Sequence, residues 1–305
     1  MDDQGKSSKR FAFFTGCLVP SRFPRFEAMA RELFPELGIE LIDITGFSCC
    51  PDPVRVGGAD RFTWLVMAAR NLAVAAGAGL PVLTLCPACT VTLASANAEL
   101  ERDAGLLAEV NHILAGTGRY LAGPVRVRHF LKVFWEDIGL DGLRATVTRP
   151  LHGFRLSYHS GCHENSPRPV MEFDNPFNPQ KTERMLDALG VTVVDYPEKS
   201  HCCGSPLTLD GKQDDALRAT VRKVADMKRC GADALAAGCA SCFQQFEIGQ
   251  MMASRKGCLE EPLPVFHVLE ILALAMGRSL DDIGFGEHKI KGSREMLEEK
   301  LGGTV

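Results

Sequence analysis

The sequence predicts an α/β protein of two duplicated parallel-sheet β-α-β domains, with cysteine clusters at the C-terminal edge of the strands, and three observations lead there. The first is a repeat. Cys49-Cys50, thirty-five residues and then Cys86-Pro87-Ala88-Cys89 recur as Cys202-Cys203, thirty-five residues and then Cys239-Ala240-Ser241-Cys242, a shift of 153 positions. Each copy follows a lone cysteine after a glycine, Cys17 or Cys162, with 31 and 39 residues before the vicinal pair, so ten of the twelve cysteines form two sets of five. The second observation is the alternation of short apolar runs with helix-forming stretches, which argues for parallel strands joined by right-handed crossovers. The third is that every cysteine of both sets follows a predicted strand end. Crossovers bring those ends to one edge, where open α/β sheets bind ligands.

Taken in order, Phe11 to Thr15 is an apolar and aromatic run suited to a buried strand, and Cys17 lies just past it. Phe26 to Leu37 reads as a helix stopped near Gly38, Ile39 to Ile44 as a strand, and Gly46 to Pro53 as the loop carrying Cys49 and Cys50. Gly58 to Ala76 holds helix formers throughout and ends at Gly77; Pro81 to Leu85 is the third strand, with Cys86 and Cys89 leading into a helix near Thr90. The second copy repeats this order, with strands Phe154 to His159, Val191 to Tyr196 and Ala232 to Ala237, helices Lys181 to Leu189 and Gln213 to Arg229, and helix again from Phe243. Val127-Arg-His129-Phe-Leu131 and Val265-Phe-His267-Val-Leu269 close the halves alike, each placing a histidine at a strand end ahead of a helix. Capping or core packing is the plain reading of both. The domains are expected at 1–150 and 151–305, with the charged, aperiodic stretch 281–305 as a tail or partner contact.

The 305 residues suit two domains, and 46% apolar residues suffice for real cores. A net charge of -4 gives no reason to expect nucleic acid. The first ten residues are polar and charged, without the apolar region of a signal peptide, and no run approaches the ~18 apolar residues of a membrane span. The expected location is cytoplasmic. Twelve cysteines are about 4% of this chain, below the ~8–10% of a disulfide scaffold, and in a reducing compartment such clusters are metal-binding or catalytic.

Structural zinc wants four tetrahedral ligands, which five per set fit poorly unless one stands by. A thiol–disulfide relay through C-x-x-C is conceivable, although neither pair stands alone as a redox motif before a helix. An iron–sulfur cluster accepts thiolates readily, four being usual. The fifth sulfur is then a bystander, a displaceable ligand, or the mark of an unusual cluster.

The two motifs resemble the cysteine-rich CCG domains, and the surrounding text resembles the B subunit of heterodisulfide reductase: Phe13-Phe14-Thr-Gly-Cys17, Ser48-Cys49-Cys50-Pro51, Ala68-Ala-Arg-Asn71, the run Asp174 to Pro179, and Phe243-Gln-Gln-Phe-Glu247. The resemblance runs from about Phe11 to Gly286. It implies two non-cubane [4Fe-4S] clusters, one held by Cys17, Cys49, Cys50, Cys86 and Cys89 and the other by Cys162, Cys202, Cys203, Cys239 and Cys242, with a disulfide cleaved between them. One departure is Pro51 where the second copy has Gly204 after the vicinal pair. Glycine permits backbone that proline forbids, so the two environments should differ.

Disulfide cleavage takes two electrons, which two one-electron clusters can deliver, and it takes protons, for which His163, His201, His129 and His267 are the candidates. Neither a C-x2-C-x2-C-x3-C-P ferredoxin run nor a G-x-G-x-x-G after a strand occurs, so a partner must supply electrons. The resemblance makes that partner a ferredoxin-like C subunit, itself fed by a flavin-bearing A subunit. The competing reading is a non-catalytic electron-transfer subunit, because CCG domains also resemble parts of glycolate, lactate and succinate oxidising complexes. The substrate is expected to be a disulfide or thiol; Arg168, in the extra segment His163 to Lys181, could contact an anionic one, although surface solvation explains its charge equally well. Cys230 and Cys258 lie outside both sets and are expected to pack as small apolar groups.

Overall fold

The computed structural model describes residues 9–301, whose backbone forms two four-stranded parallel sheets of one topology. Strands β1 (Lys9–Phe14), β2 (Ile39–Ile42), β3 (Val82–Thr84) and β4 (Val127–His129) lie in the order β2-β1-β3-β4. Strands β5 (Arg155–His159), β6 (Thr192–Val193), β7 (Ala234–Ala237) and β8 (Val265–His267) lie in the order β6-β5-β7-β8. The predicted duplicated α/β architecture is observed. The two echoed histidine segments supply the fourth strand of each sheet.

Parallel strands covered on both faces read as unbroken apolar runs, and Phe11 to Phe14 and Ala234 to Ala237 are buried throughout. The register puts Phe14, Thr84 and His129 in the last row of the first sheet and His159, Ala237 and His267 in that of the second. The helix Arg61–Gly77 starts where Asp60 accepts the Thr63 amide at 3.0 Å, an N-cap, and buries Trp64, Leu65, Ala68, Leu72 and Ala75 along one side. Its counterpart, Gln213–Arg229, opens on Asp214 and Asp215 and closes on Lys228 and Arg229, charges that complement the helix dipole.

The described residues divide into two compact units, one running through Val133 and taking in Ser166–Phe173, the other comprising Phe134–Asn165 and the chain from Asp174. Compactness therefore does not change at residue 150. The amides of Thr148 and Arg149 both donate to the Ala275 carbonyl at 3.0 Å, tying the segment before β5 to the second unit. Ser166–Phe173 is held to the first unit by Lys132, whose Nζ donates to the Met171 carbonyl at 2.9 Å.

The expected tail is instead folded onto the second unit as far as it is described; residues 302–305 lie outside the described residues. Phe285 is buried and stacks on Phe266 with ring centroids 5.3 Å apart. The amides of Lys289 and Ile290 donate to the buried Glu247 carboxylate, the latter at 3.1 Å, and Lys300 pairs with Asp233 at 2.6 Å. Two backbone amides on buried Glu247 and Lys300 on half-buried Asp233 fasten this stretch at points that follow no helical period.

His288 is buried, with Nε2 2.9 Å from the Glu270 carboxylate and Nδ1 3.1 Å from the Val265 carbonyl. Burial alone would lower its pKa, but Glu270 and then Glu247 outweigh burial and raise it. A raised histidine stabilises the fold fully below its unfolded value of ~6.5 and loses that contribution as pH rises through the folded value. Urea midpoints of the anaerobically purified chain should accordingly fall from about pH 6 upward more steeply than those of His288→Gln. Parallel curves for the two chains would contradict this.

Candidate functional site

In the first unit β1 delivers Cys17 through Gly16, whose φ is +71° and whose missing Cβ would lie 2.8 Å from Cys89 Sγ. Only glycine fits that approach. The loop after β2 carries Cys49 and Cys50 and is pinned by Asn71, which accepts the Ser48 amide at 2.9 Å and donates to the Cys49 carbonyl at 3.3 Å. Arg70 donates to the Gly46 carbonyl at 2.9 Å and to Ser48 Oγ at 3.0 Å. After β3, Cys86 is the N-cap of the helix Pro87–Arg102 and Cys89 lies in its first turn. Thr84 and Thr90 both donate to the Cys86 carbonyl, at 3.2 and 3.1 Å.

These elements join five sulfurs into one network. Cys50 Sγ lies 2.8 Å from Cys89 Sγ; Cys17 hydrogen-bonds Cys49, Cys49 hydrogen-bonds Cys50, and Cys89 hydrogen-bonds Cys86. Protonation is uneven. Hydrogen bonds from Cys49 and Cys89 lower the Cys50 thiol to about 6, while burial and then Cys49 push Cys17 up to about 11.

The second unit repeats the arrangement. Cys162 opens the short helix Cys162–Asn165, and the turn before it is fastened by the buried Glu164, which accepts the Tyr158 hydroxyl at 2.6 Å and the Gly161 amide at 3.0 Å. Burial raises the Glu164 carboxyl to about 7. Cys239 is the N-cap of the helix Ala240–Arg255 with Cys242 in its first turn, and its φ and ψ of -121° and 123° match the -124° and 119° of Cys86. The amides of Gly204 and Ser205 point at the Cys202 and Cys203 sulfurs, 3.4 and 3.5 Å away. Cys203 is held well below the ordinary thiol range by hydrogen bonds with Cys202, Cys242 and His159, while burial and then Cys203 raise Cys162.

His159 is the site residue that sequence reasoning missed. It is the last residue of β5, is buried, hydrogen-bonds Cys203 and meets Phe246 edge-on at 5.0 Å; donor atoms of His159, Cys203 and Cys242 lie within 4.8 Å of one another. Its place at a strand end three residues before the lone cysteine was the available signal. In the first sheet the same row holds Phe14, so the two sets are not chemically equal.

The four singled-out histidines sit in different surroundings. His129 is fully buried at the end of β4, and burial pushes it down to about 4. His267 caps the helix Val268–Ala275, accepting the Leu269 amide on Nδ1 at 3.3 Å while its own amide donates to Glu270 at 2.7 Å. His201 is exposed, with Nδ1 2.8 Å from Glu198, and His163 is half-buried within Cys162–Asn165. Arg168 is exposed on the short helix Arg168–Met171 of the first unit. Cys230 ends the helix Gln213–Arg229, and Cys258 is exposed with its sulfur 3.7 Å from the Lys256 carbonyl.

Sulfurs held together by shared protons are a donor set for a soft cation, since metal binding displaces those protons. Five of them exceed what tetrahedral zinc needs and suit an iron–sulfur group. The sets also lie at helix N-termini, whose partial positive charge favours thiolate.

A duplicated sheet with five thiols at each strand edge defines a cysteine-rich domain protein, and the family model for the CCG cysteine-rich domain matches residues 11–94 and 156–247. The chain belongs to this CCG family, together with the B subunits of heterodisulfide reductases. It is 31% identical over 283 residues, 92% of this chain and 94% of the relative, to the B subunit of the ferredoxin/F(420)H(2)-dependent CoB-CoM heterodisulfide reductase of Methanosarcina acetivorans. It is 30% identical over 286 residues, 94% of this chain and 99% of the relative, to the 8-methylmenaquinol:fumarate reductase membrane anchor subunit of Wolinella succinogenes. A crystal structure of a hypothetical protein from Helicobacter pylori shares the fold, with a TM-score of 0.74 at 17% identity over 93% of this chain; this chain spans about half of that one, 52%. Among the described residues no helix is long and apolar enough to cross a membrane.

Proposed function

We propose that each five-cysteine set binds one non-cubane [4Fe-4S] cluster and that the chain is the disulfide-reducing subunit of a heterodisulfide reductase-like complex. The observation that carries this reading is the joining of all five sulfurs in the first unit, and of Cys202, Cys203, Cys239 and Cys242 in the second, on a chain alike over nearly its whole length to relatives named as heterodisulfide reductase B subunits. A bound cluster supplies one-electron transfer and a Lewis-acidic iron able to take up thiolate. The net change is one S–S bond broken, two electrons and two protons taken up, and two thiols formed. The chain's own part is to hold the sulfurs and to bring protons, and His201, exposed beside Glu198, is the best placed of the four histidines to exchange a proton with solvent. His163 is next, half-buried beside Cys162; the burial of His129 and the capping role of His267 suit them to support rather than proton delivery.

Electrons come, in this reading, from a ferredoxin-like C subunit, which a flavin-bearing A subunit feeds in turn, with the chain cytoplasmic. The anaerobically purified chain should contain iron and acid-labile sulfide, yet show no turnover with NADH alone. Zinc as the main metal would refute the cluster reading, and NADH-driven activity of the isolated chain would refute the need for partners.

The relative named as a fumarate reductase anchor favours a second reading, an electron-transfer subunit of a hydroxyacid or succinate oxidising complex. Assay of the complex assembled with the ferredoxin-like and flavin-bearing partners decides. Disulfide reduction supports the first reading, and electron passage with no disulfide reduced or formed supports the second.

A further inference from the structure

The long helix between each vicinal pair and its C-x-x-C carries a cation at the same place, Arg70 in one repeat and Lys223 in the other, again 153 positions apart. Both grip the loop that delivers the vicinal cysteines. Arg70 donates to the Gly46 carbonyl and Ser48 Oγ; Lys223 donates to the carbonyls of Lys199 at 3.4 Å and His201 at 2.7 Å, the equivalent positions, and to that of Glu198. The equivalence ends at solvent. Arg70 is half-buried, whereas Lys223 is 1% exposed, with its Nζ over the Tyr196 ring, 5.3 Å from the centroid.

A buried ammonium is costly unless its charge is answered. The three hydrogen bonds of the Lys223 ammonium all go to neutral carbonyls. The Glu198 carboxylate is engaged by Arg222 at 2.5 Å and His201, and Asp226 by Arg229 and the Glu198 amide. Burial pushes the Lys223 ammonium down to about 8, and the groups that oppose burial most are the sulfurs of Cys203 and Cys242, ahead of Glu198 and Cys202. Arg70 keeps part of its surface in water, which screens its charge more than that of Lys223.

We propose that Lys223 is a positioning residue of the second cysteine set and also the buried counter-charge that makes its centre the easier of the two to reduce. The proposal rests on the reading that each set holds an iron–sulfur cluster. Reduction adds one negative charge, and a fixed cation in a low-dielectric surrounding favours the reduced form, net charge and exposure being recognised levers on such potentials.

The test is a mediated dithionite titration, followed by electron paramagnetic resonance, of full-length chains purified anaerobically: parent, Lys223→Gln, Lys223→Arg and Arg70→Gln. Glutamine keeps a donor for the carbonyls and removes the charge; arginine keeps both. The two midpoints are assigned with Cys50→Ser and Cys203→Ser chains. Lys223→Gln should lower the second midpoint so that its reduced-to-oxidised ratio at a given potential falls on the order of tenfold, a 59 mV shift for one electron. The first midpoint should stay, Lys223→Arg should restore the second, and Arg70→Gln should move neither by as much. A second midpoint unmoved in Lys223→Gln at full iron content, or equal shifts of both, overturns the proposal. Iron lost from the second set in the glutamine chain but kept in the arginine chain supports it, and iron lost in both with unchanged amide exchange over 198–204 overturns it. Absence of iron and sulfide from the parent would instead remove the cluster reading beneath it.

Discussion

With one cluster per five-cysteine set, as proposed, replacing Cys203 with serine is expected to remove about half of the chain's iron and acid-labile sulfide. Cys203 is the hub of its set, buried and hydrogen-bonded to Cys202, Cys242 and His159. Serine puts a hard, weakly acidic oxygen where a soft thiolate stood, and soft donors select iron–sulfur chemistry. Cys202→Ser should act in the same direction. The first set should keep its metal, because its five cysteines stand on the separate sheet β2-β1-β3-β4 within the other compact unit. Cys230→Ser and Cys258→Ser should leave iron at the parent level: the first ends a helix and the second is exposed with one weak contact. Iron and sulfide per chain, with electron paramagnetic resonance of the oxidised, substrate-treated protein, reads the comparison. Equal loss at Cys230 and Cys203 would break the partition into two sets of five, and no loss at Cys203 would deny the vicinal pair a role as ligand.

That partition was legible because it is written in spacing. A thirty-five-residue gap closed by the helix between the pairs returns the chain to the same edge, and apolar runs such as Phe11 to Phe14 mark strands that are buried on both faces. Residues that act across the fold left a fainter trace, their position in the repeat without their role. His159 gains its role from Cys203, forty-four positions away, and Lys223 reads in sequence as one basic residue among several on a charged helix. The same holds for the stretch after Gly277, whose Lys300 ammonium, Lys289 and Ile290 backbone amides and His288 ring meet Asp233, Glu247 and Glu270 at separations no local pattern encodes. Strand β6 was expected from Val191 to Tyr196 but pairs only over Thr192–Val193, because the chain then turns toward Pro197–Ser200 and buries Tyr196 under Lys223.

The Pro51 and Gly204 difference leads to the second large effect. Gly204 has φ +98°, and a Cβ there would lie 2.9 Å from the Ala216 carbonyl oxygen and 3.2 Å from its Cα. Both obstacles are backbone of the helix Gln213–Arg229 and cannot swing aside. A non-glycine residue in that conformation costs ~1–3 kcal/mol, and an extra group forced into packed surroundings costs a similar ~1–3 kcal/mol. Gly204→Ala should therefore destabilise the chain by about 2–6 kcal/mol. Because Gly204 directly follows Cys203 and its amide faces the Cys202 sulfur at 3.4 Å, the strain falls on the vicinal pair, and iron should be lost from the second set before the first. Pro51→Gly at the matching place should cost about 1 kcal/mol or less, through the greater freedom of the unfolded chain, since the loop there stays anchored by Thr92, whose hydroxyl donates to the residue 51 carbonyl at 3.0 Å. Urea midpoints and iron per chain measure both variants. A Gly204→Ala chain within about 0.5 kcal/mol of the parent would show that the loop can leave the vicinal pair by another path, and that the left-handed turn does not set the geometry of the second set.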